Sequence, residues 1–226
     1  MADVVIFGVG QWAELASYYF THDSPHRIVA FTVDRQFAKE QSFQGLPVVP
    51  YDELERLHPP DAVELFIPIS FVKMNHARAE KYFDAKRRGY RLTSYVSSKA
   101  TTWPDFSCGE NCFILEDNTI QPTVRIGNNV IMWCGNHIGH HTTIEDHVMI
   151  TSHVVISGCC TLGEYSFFGV NSTIRDETVI APETLVGMGV TIVADTKPFE
   201  MYRVPRPKAD AVRSDELRAI QHKTGN

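Results

Sequence analysis

Five of the chain's ten histidines fall between residues 137 and 153: His137, His140, His141, His147 and His153. Imidazole exchanges a proton near neutral pH, so such a cluster suits general-base chemistry or metal binding. The segment Asn136-His137-Ile138-Gly139-His140-His141-Thr142-Thr143-Ile144 holds three of them, two side by side. A second place suited to ligand chemistry lies near the N-terminus, at Gly8-Val9-Gly10-Gln11-Trp12-Ala13. A glycine turn between a strand and a helix lets backbone N–H groups approach a phosphate or sugar closely.

The elements that must position the histidines repeat with a period of six. Counting in sixes from Val96 reaches Ile114, Ile120, Ile126, Met132, Ile138, Ile144, Ile150, Ile156, Leu162, Phe168, Ile174, Ile180, Val186 and Ile192. A smaller residue follows four places later (Val130, Thr142, Val148, Ser166, Ser172), and glycine often follows the aliphatic directly (Gly109, Gly127, Gly139, Gly163, Gly169, Gly187). No helix keeps a period of six. The pattern predicts a parallel β-helix of three hexads per coil, with roughly five coils between Val96 and Val193. Residues eighteen apart then stack, so Ile120, Ile138, Ile156, Ile174 and Ile192 form one inner column. Asn118 and Asn136 should form an inward amide ladder, and the glycines should relax corners that need positive φ.

In this register Ile138 and Thr142 point inward, which leaves His140 and His141 outside, with the small Pro122 and Gly158 stacked on either side of His140. Cys108, Cys112 and Cys160 point inward, while Cys134 and Cys159 lie elsewhere on the faces. The five cysteines therefore read as packing residues rather than disulfides or zinc ligands.

Before the prism comes a half-fold of about ninety residues. Asp3 to Phe7 reads as a buried strand, followed by the glycine turn and a helix through Tyr19. Arg27 to Val33 is a second strand ending at Asp34, Glu64 to Ile69 a third, Asn75 to Arg88 a helix, and Tyr90 to Tyr95 a fourth strand feeding the prism. This is the order of a Rossmann-like α/β unit, with Ala13 in the third glycine place. Bound NAD is disfavoured, because a dehydrogenase needs a second half-fold and here the β-helix follows at once. The expected domains are 1–95, 96–194 and a C-terminal loop and helix over 195–226, the helix spanning Asp210 to His222.

The hexads resemble those of the left-handed β-helix acyltransferases. With the glycine-turn half-fold in front, nearly the whole chain resembles the sialic acid O-acetyltransferases and the N-acetyltransferases of 4-amino-4,6-dideoxy sugar nucleotides of bacterial glycan synthesis. The resemblance implies a left-handed coil, acetyl-CoA as co-substrate, no metal, and a nucleotide-activated sugar as acceptor. It implies that Gly8, Gly10, Gln11, Trp12, Asp34 and Arg35 hold the nucleotide, although Gln11-Trp12 departs from the usual Gly-Gly-His-Gly turn. His140 falls at the catalytic base, and His141 at the position where a carboxylate usually follows. Either another carboxylate (Glu145, Asp146 or Glu116, including one from a neighbouring subunit) orients His140, or His141 shares the work. Met149 stands where a second histidine helps bind the thioester; Gly169, Val170, Gly187, Met188 and Gly189 fall at the acetyl-CoA contacts, and Arg203, Arg206 and Lys208 near its phosphates. Zinc carbonic anhydrases of this fold place histidines five and thirty-six residues apart, and no pair among the five has either spacing.

The resemblance further implies a homotrimer, in which apolar residues at outward positions, among them Ile131, Val155 and Phe167, are covered and His140 faces cofactor contacts of the neighbour. Amine and hydroxyl acceptors both remain open, as does a non-catalytic trimeric binding protein. Composition adds exclusions. A formal charge of −6 and no Lys/Arg-rich run argue against nucleic acid. No apolar run approaches a membrane span and Met1 to Val9 is too short and uncharged for a signal peptide, so a cytoplasmic protein is expected.

Overall fold

The structure, a computed structural model, describes residues 1–209, 211, 213 and 214; the helix expected over Asp210 to His222 lies outside the described residues. β1 (Asp3–Phe7), α1 (Gln11–Asp23) and β2 (Arg27–Val33) stand where the apolar runs place them. They are followed by β3 (Ser42–Phe43), β4 (Leu46–Pro50), α2 (Leu54–Leu57), β5 (Glu64–Phe66), α3 (His76–Arg87) and β6 (Arg91–Leu92). All six strands share one sheet, ordered β3-β4-β2-β1-β5-β6 and parallel except for the β3–β4 hairpin. The hairpin is absent from the sequence reading because its strands are short and half polar. Its turn, Gln44 and Gly45, has positive φ at both residues, which suits the twist of a tight hairpin. β5 stops at Phe66 rather than Ile69, since Pro68 has no N–H to give a ladder. The expected fourth strand is split: Arg91–Leu92 ends the sheet, and Tyr95–Val96 pairs with Phe113–Ile114 as the first rung of the prism.

The prism has three parallel faces. Face one contains Tyr95–Val96, Phe113–Ile114, Ile131–Met132, Met149–Ile150, Phe167–Phe168, Leu185–Val186 and Met201–Tyr202. Face two runs from Thr119–Ile120 through His137–Ile138 to Thr191–Ile192, and face three from Arg125–Ile126 through Thr143–Ile144 to Val179–Ile180. The stride of eighteen holds, with Ile138 between Ile120 and Ile156. The inward aliphatics form one dry core, and Asn136 Nδ2 donates to Asn118 Oδ1 at 2.8 Å inside it. The prism continues past Ala194, because Met201 pairs with Leu185, sixteen residues back instead of eighteen, and the count in sixes loses it.

The glycines act differently from the expectation. Gly109, Gly127, Gly139, Gly163 and Gly169 do not have positive φ. A Cβ on any of them would sit 2.5 Å or less from the next coil, against its backbone or a side-chain oxygen lying on it, so they are glycine because coil meets coil there. Positive φ falls two residues later in each hexad, at Asn111, Asn129, His141, His147, His153 and Cys159 among others.

The half-fold packs on face one. Ile131 and Met149 are 1% and 2% exposed beneath α1 and the sheet, and Trp12 meets Trp133 edge-on at 5.2 Å. Phe167 packs on Phe71 at 5.0 Å. Ile131 is therefore buried and Phe167 partly covered without a second subunit, which corrects that part of the trimer expectation; Val155 remains 41% exposed.

A polar column fastens the two units together. Asn111 bonds the Ile67 backbone and Asn129, whose Nδ2 lies 2.8 Å from His147 Nδ1. Burial pushes His147 down to about 4. The folded chain keeps this ring neutral, whereas an unfolded histidine takes a proton near pH 6.5. Stability is therefore complete above pH 6.5 and falls as pH drops toward 4, by up to about 3 kcal/mol. Chemical denaturation of the wild type and of His147→Asn across that window should show the steeper acid loss in the wild type. Asn suits the left-handed backbone at this position (φ 65°).

Candidate functional site

The edge between faces two and three carries the histidine pair. His140 and His141 are exposed on a turn whose backbone is fixed from the coil before. His140 N–H donates to Gln121 Oε1 at 2.8 Å, and His141 N–H to Thr123 Oγ1 at 3.0 Å. The two Nδ1 atoms are 3.1 Å apart. One must carry a proton and the other accept it. A proton on His140 Nδ1 leaves a lone pair on His140 Nε2, the form a general base requires. In that tautomer His141 Nδ1 is a neutral acceptor, which orients the His140 ring without supplying negative charge.

None of the three candidate carboxylates bonds His140 within the chain. Glu116 accepts from Tyr19 at 2.7 Å, Asp146 from the Asn128 N–H at 2.6 Å, and Glu145 from the Glu164 N–H at 3.0 Å. Asp176 lies one coil beyond Gly158, in the column of His140. An ideal Cβ on Gly158 would stand 2.7 Å from His140 Cε1 and 3.0 Å from both His140 Nε2 and Asp176 Oδ1. The ring lies in the space this glycine leaves open. Gly158→Ala should therefore displace the imidazole rather than unfold the coil, lowering kcat by roughly tenfold or more with a Tm within a few degrees of wild type. An unchanged kcat would show that the ring position does not matter.

The glycine turn forms a second locus. Phe7, Gly8, Gly10, Gln11, Trp12 and Ala13 line a shallow cleft of about 180 Å³ with Pro68, Ile69 and Ser70, above the ends of β1 and β5. Gly8 has φ 116°, and its N–H donates to Thr32 O at 2.7 Å, which folds the turn over β2. Gly10 is exposed, and a Cβ there would meet nothing. Trp12 has two tasks, lining the cleft and holding the half-fold to Trp133. Asp34 and Arg35 stand one strand over and line no part of this cleft. Asp34 is paired with Lys81 at 2.7 Å, while Arg35 is held by Asp52 at 2.7 Å and Glu53 at 2.7 Å.

Gly169, Val170, Gly187, Met188 and Gly189 lie on the edge between faces one and two, as does Trp133. Val170 and Met188 are 39% and 66% exposed, and Arg203 reaches Gly187 from the final rung. Met149 does not join them. Its side chain is sealed under the half-fold and offers a cofactor no surface, which corrects its assignment.

Sequence reasoning missed Arg78. This residue is fully buried in α3, burial pushes it down to about 9, and it remains charged at neutral pH. Its guanidinium donates to the carbonyls of Ile69 at 3.0 Å, His147 at 3.0 Å and Asn129 at 3.3 Å, tying the cleft wall to the prism. An arginine in a helix otherwise rich in charge carries no sequence signal of burial.

No protein-family model matches the chain. Among solved structures, the acetyltransferase domain of PglB from Neisseria gonorrhoeae superimposes with a TM-score of 0.77 at 20% identity, covering 89% of this chain and 96% of that one. A variant of perosamine N-acetyltransferase from Caulobacter crescentus, solved with CoA and GDP-perosamine, gives 0.77 at 22% identity over 86% and 90%. The chain has the fold of the left-handed β-helix acyltransferases. In sequence, the chain is 25% identical over 88 residues to an acyl-[acyl-carrier-protein]–UDP-N-acetylglucosamine O-acyltransferase of Paracoccus denitrificans. That match spans 39% of this chain and about a third of the relative's length.

Proposed function

We propose that the protein is an acetyl-CoA-dependent acetyltransferase that acetylates the amine of a nucleotide-linked amino sugar for glycan assembly. One observation carries the reading. The glycine-turn cleft belongs to the half-fold that packs on face one, and the exposed Val170 and Met188 to the edge between faces one and two, whereas the base-competent pair His140–His141 lies on the edge between faces two and three, opposite the half-fold. A single chain cannot close its own site. Three chains about a three-fold axis bring the His140 edge of one against the cleft edge of the next, which supports a homotrimer with shared sites. The solved neighbours support the substrates: one is described with acetyl coenzyme A, another with CoA and GDP-perosamine.

In the reaction, the sugar amine attacks the thioester carbonyl and loses its proton to His140 Nε2. The C–S bond breaks, CoA leaves as thiolate, and the proton passes to it. His141 Nδ1 accepts the hydrogen bond from His140 Nδ1–H throughout and holds the ring in the productive tautomer. The test is a thiol-release assay against sugar nucleotides bearing a free amine or only hydroxyls. Turnover confined to the amine series supports the proposal; turnover on hydroxyl acceptors alone assigns the O-acetyl reading; no release with either class contradicts both.

A further inference from the structure

Cys159 is, among the described residues, the one exposed cysteine, and it lies eighteen residues beyond His141, directly on its column. Its Sγ is 4.0 Å from His140 Nδ1, and that nitrogen is 3.1 Å from His141 Nδ1. The three ligand atoms all fall within 4.8 Å of one another. Tetrahedral zinc, with Zn–N of about 2.0–2.1 Å and Zn–S of about 2.3 Å, needs N···N near 3.3 Å and N···S near 3.6 Å. The His140–His141 and His140–Cys159 distances stand within a few tenths of an ångström of that arrangement, and the His141–Cys159 pair lies within 4.8 Å. Two imidazoles and a thiolate are also the donors that a borderline or soft cation selects over magnesium or calcium.

We infer that His140 Nδ1, His141 Nδ1 and Cys159 Sγ form an inhibitory site for zinc or a similar thiophilic divalent ion. This inference rests on the assignment of His140 as the base. The ion takes the place of the proton shared by the two rings. Coordination through Nδ1 forces the single ring proton of His140 onto Nε2, the nitrogen that must accept the substrate proton. The Cys159 thiol loses its proton to solvent. Three protein ligands leave a fourth position for water. The metal-bound enzyme can still hold both substrates but lacks a base.

The test uses the intact protein with Co²⁺ as a spectroscopic probe and Zn²⁺ as inhibitor. Co²⁺ should give a thiolate-to-metal absorption band at one equivalent per chain, absent in Cys159→Ser. Zn²⁺ should inhibit the wild type reversibly, with activity restored by a chelator. Cys159→Ser should keep its basal rate and need on the order of tenfold or more Zn²⁺ for half-inhibition, the least expected for loss of a ligand. Cys159→Gly, which suits the left-handed backbone here (φ 58°), guards against a folding defect in the serine variant. A missing band, or a band that survives both substitutions, overturns the site and leaves the His140 assignment standing. A cysteine-dependent band with undiminished activity overturns the inhibition and removes His140 as the base.

Discussion

His140→Asn should lower kcat by a hundredfold or more, the usual range for a lost general base, while CoA affinity stays close to wild type. Asparagine keeps the backbone bond to Gln121 and the local volume but cannot take a proton. His141→Asn should be milder. It removes the Nδ1 acceptor that sets the His140 tautomer, so roughly a tenfold loss is expected, with a shifted pH profile for kcat/KM. Asparagine also tolerates the positive φ at 141. Steady-state kinetics on both variants decide the assignment. Should His141→Asn be the more damaging, the base is His141 and His140 is its partner.

The largest stability effect is expected at Arg78. Arg78→Met fills much of the same volume but leaves the carbonyls of Ile69, Asn129 and His147 buried without their donor. Leaving a buried acceptor without its donor costs about 1–3 kcal/mol, and three carbonyls lose theirs at once. Guanidinium denaturation should therefore show a lower midpoint, with loosening of the half-fold. Because Ile69 also walls the glycine-turn cleft, the KM for the sugar nucleotide should rise more than that for acetyl-CoA. A variant as stable as wild type would show that the carbonyls find other donors.

The prism was legible because a repeat of six repeats its energetics. Each inward aliphatic makes the same choice as its neighbour eighteen residues away, so a local error is outvoted by the column. β1 and β2 were legible as continuous apolar runs, and their bounds agree with the structure. The β3–β4 hairpin and the rung at Met201–Tyr202 were not, since neither shows alternation or the period. The histidine pair was found from its residue types, but its relation to Cys159 was not. Stride eighteen was read along the inner columns, where hydrophobicity announces it. The same stride at the left-handed corners gives Thr123, His141 and Cys159 on one edge, and Asn111, Asn129, His147 and Tyr165 on another. Those columns are polar and carry no hydropathy signal. Met149 was misplaced for the opposite reason: an outward position on the prism is buried when another unit covers that face.

The central claim is that a site is built from the His140 edge of one chain and the glycine-turn cleft of another. Subunit complementation tests it most directly. His140→Asn removes the base, and Gly10→Phe fills the cleft from a position where a side chain meets nothing else. Each variant alone should be almost inactive. Co-expressed in equal amounts, they should assemble mixed trimers in which roughly a quarter of the sites pair an intact base with an intact cleft. Thiol release near a quarter of the wild-type rate is the expected result. Activity no higher than that of the two inactive parents would contradict a site shared between chains.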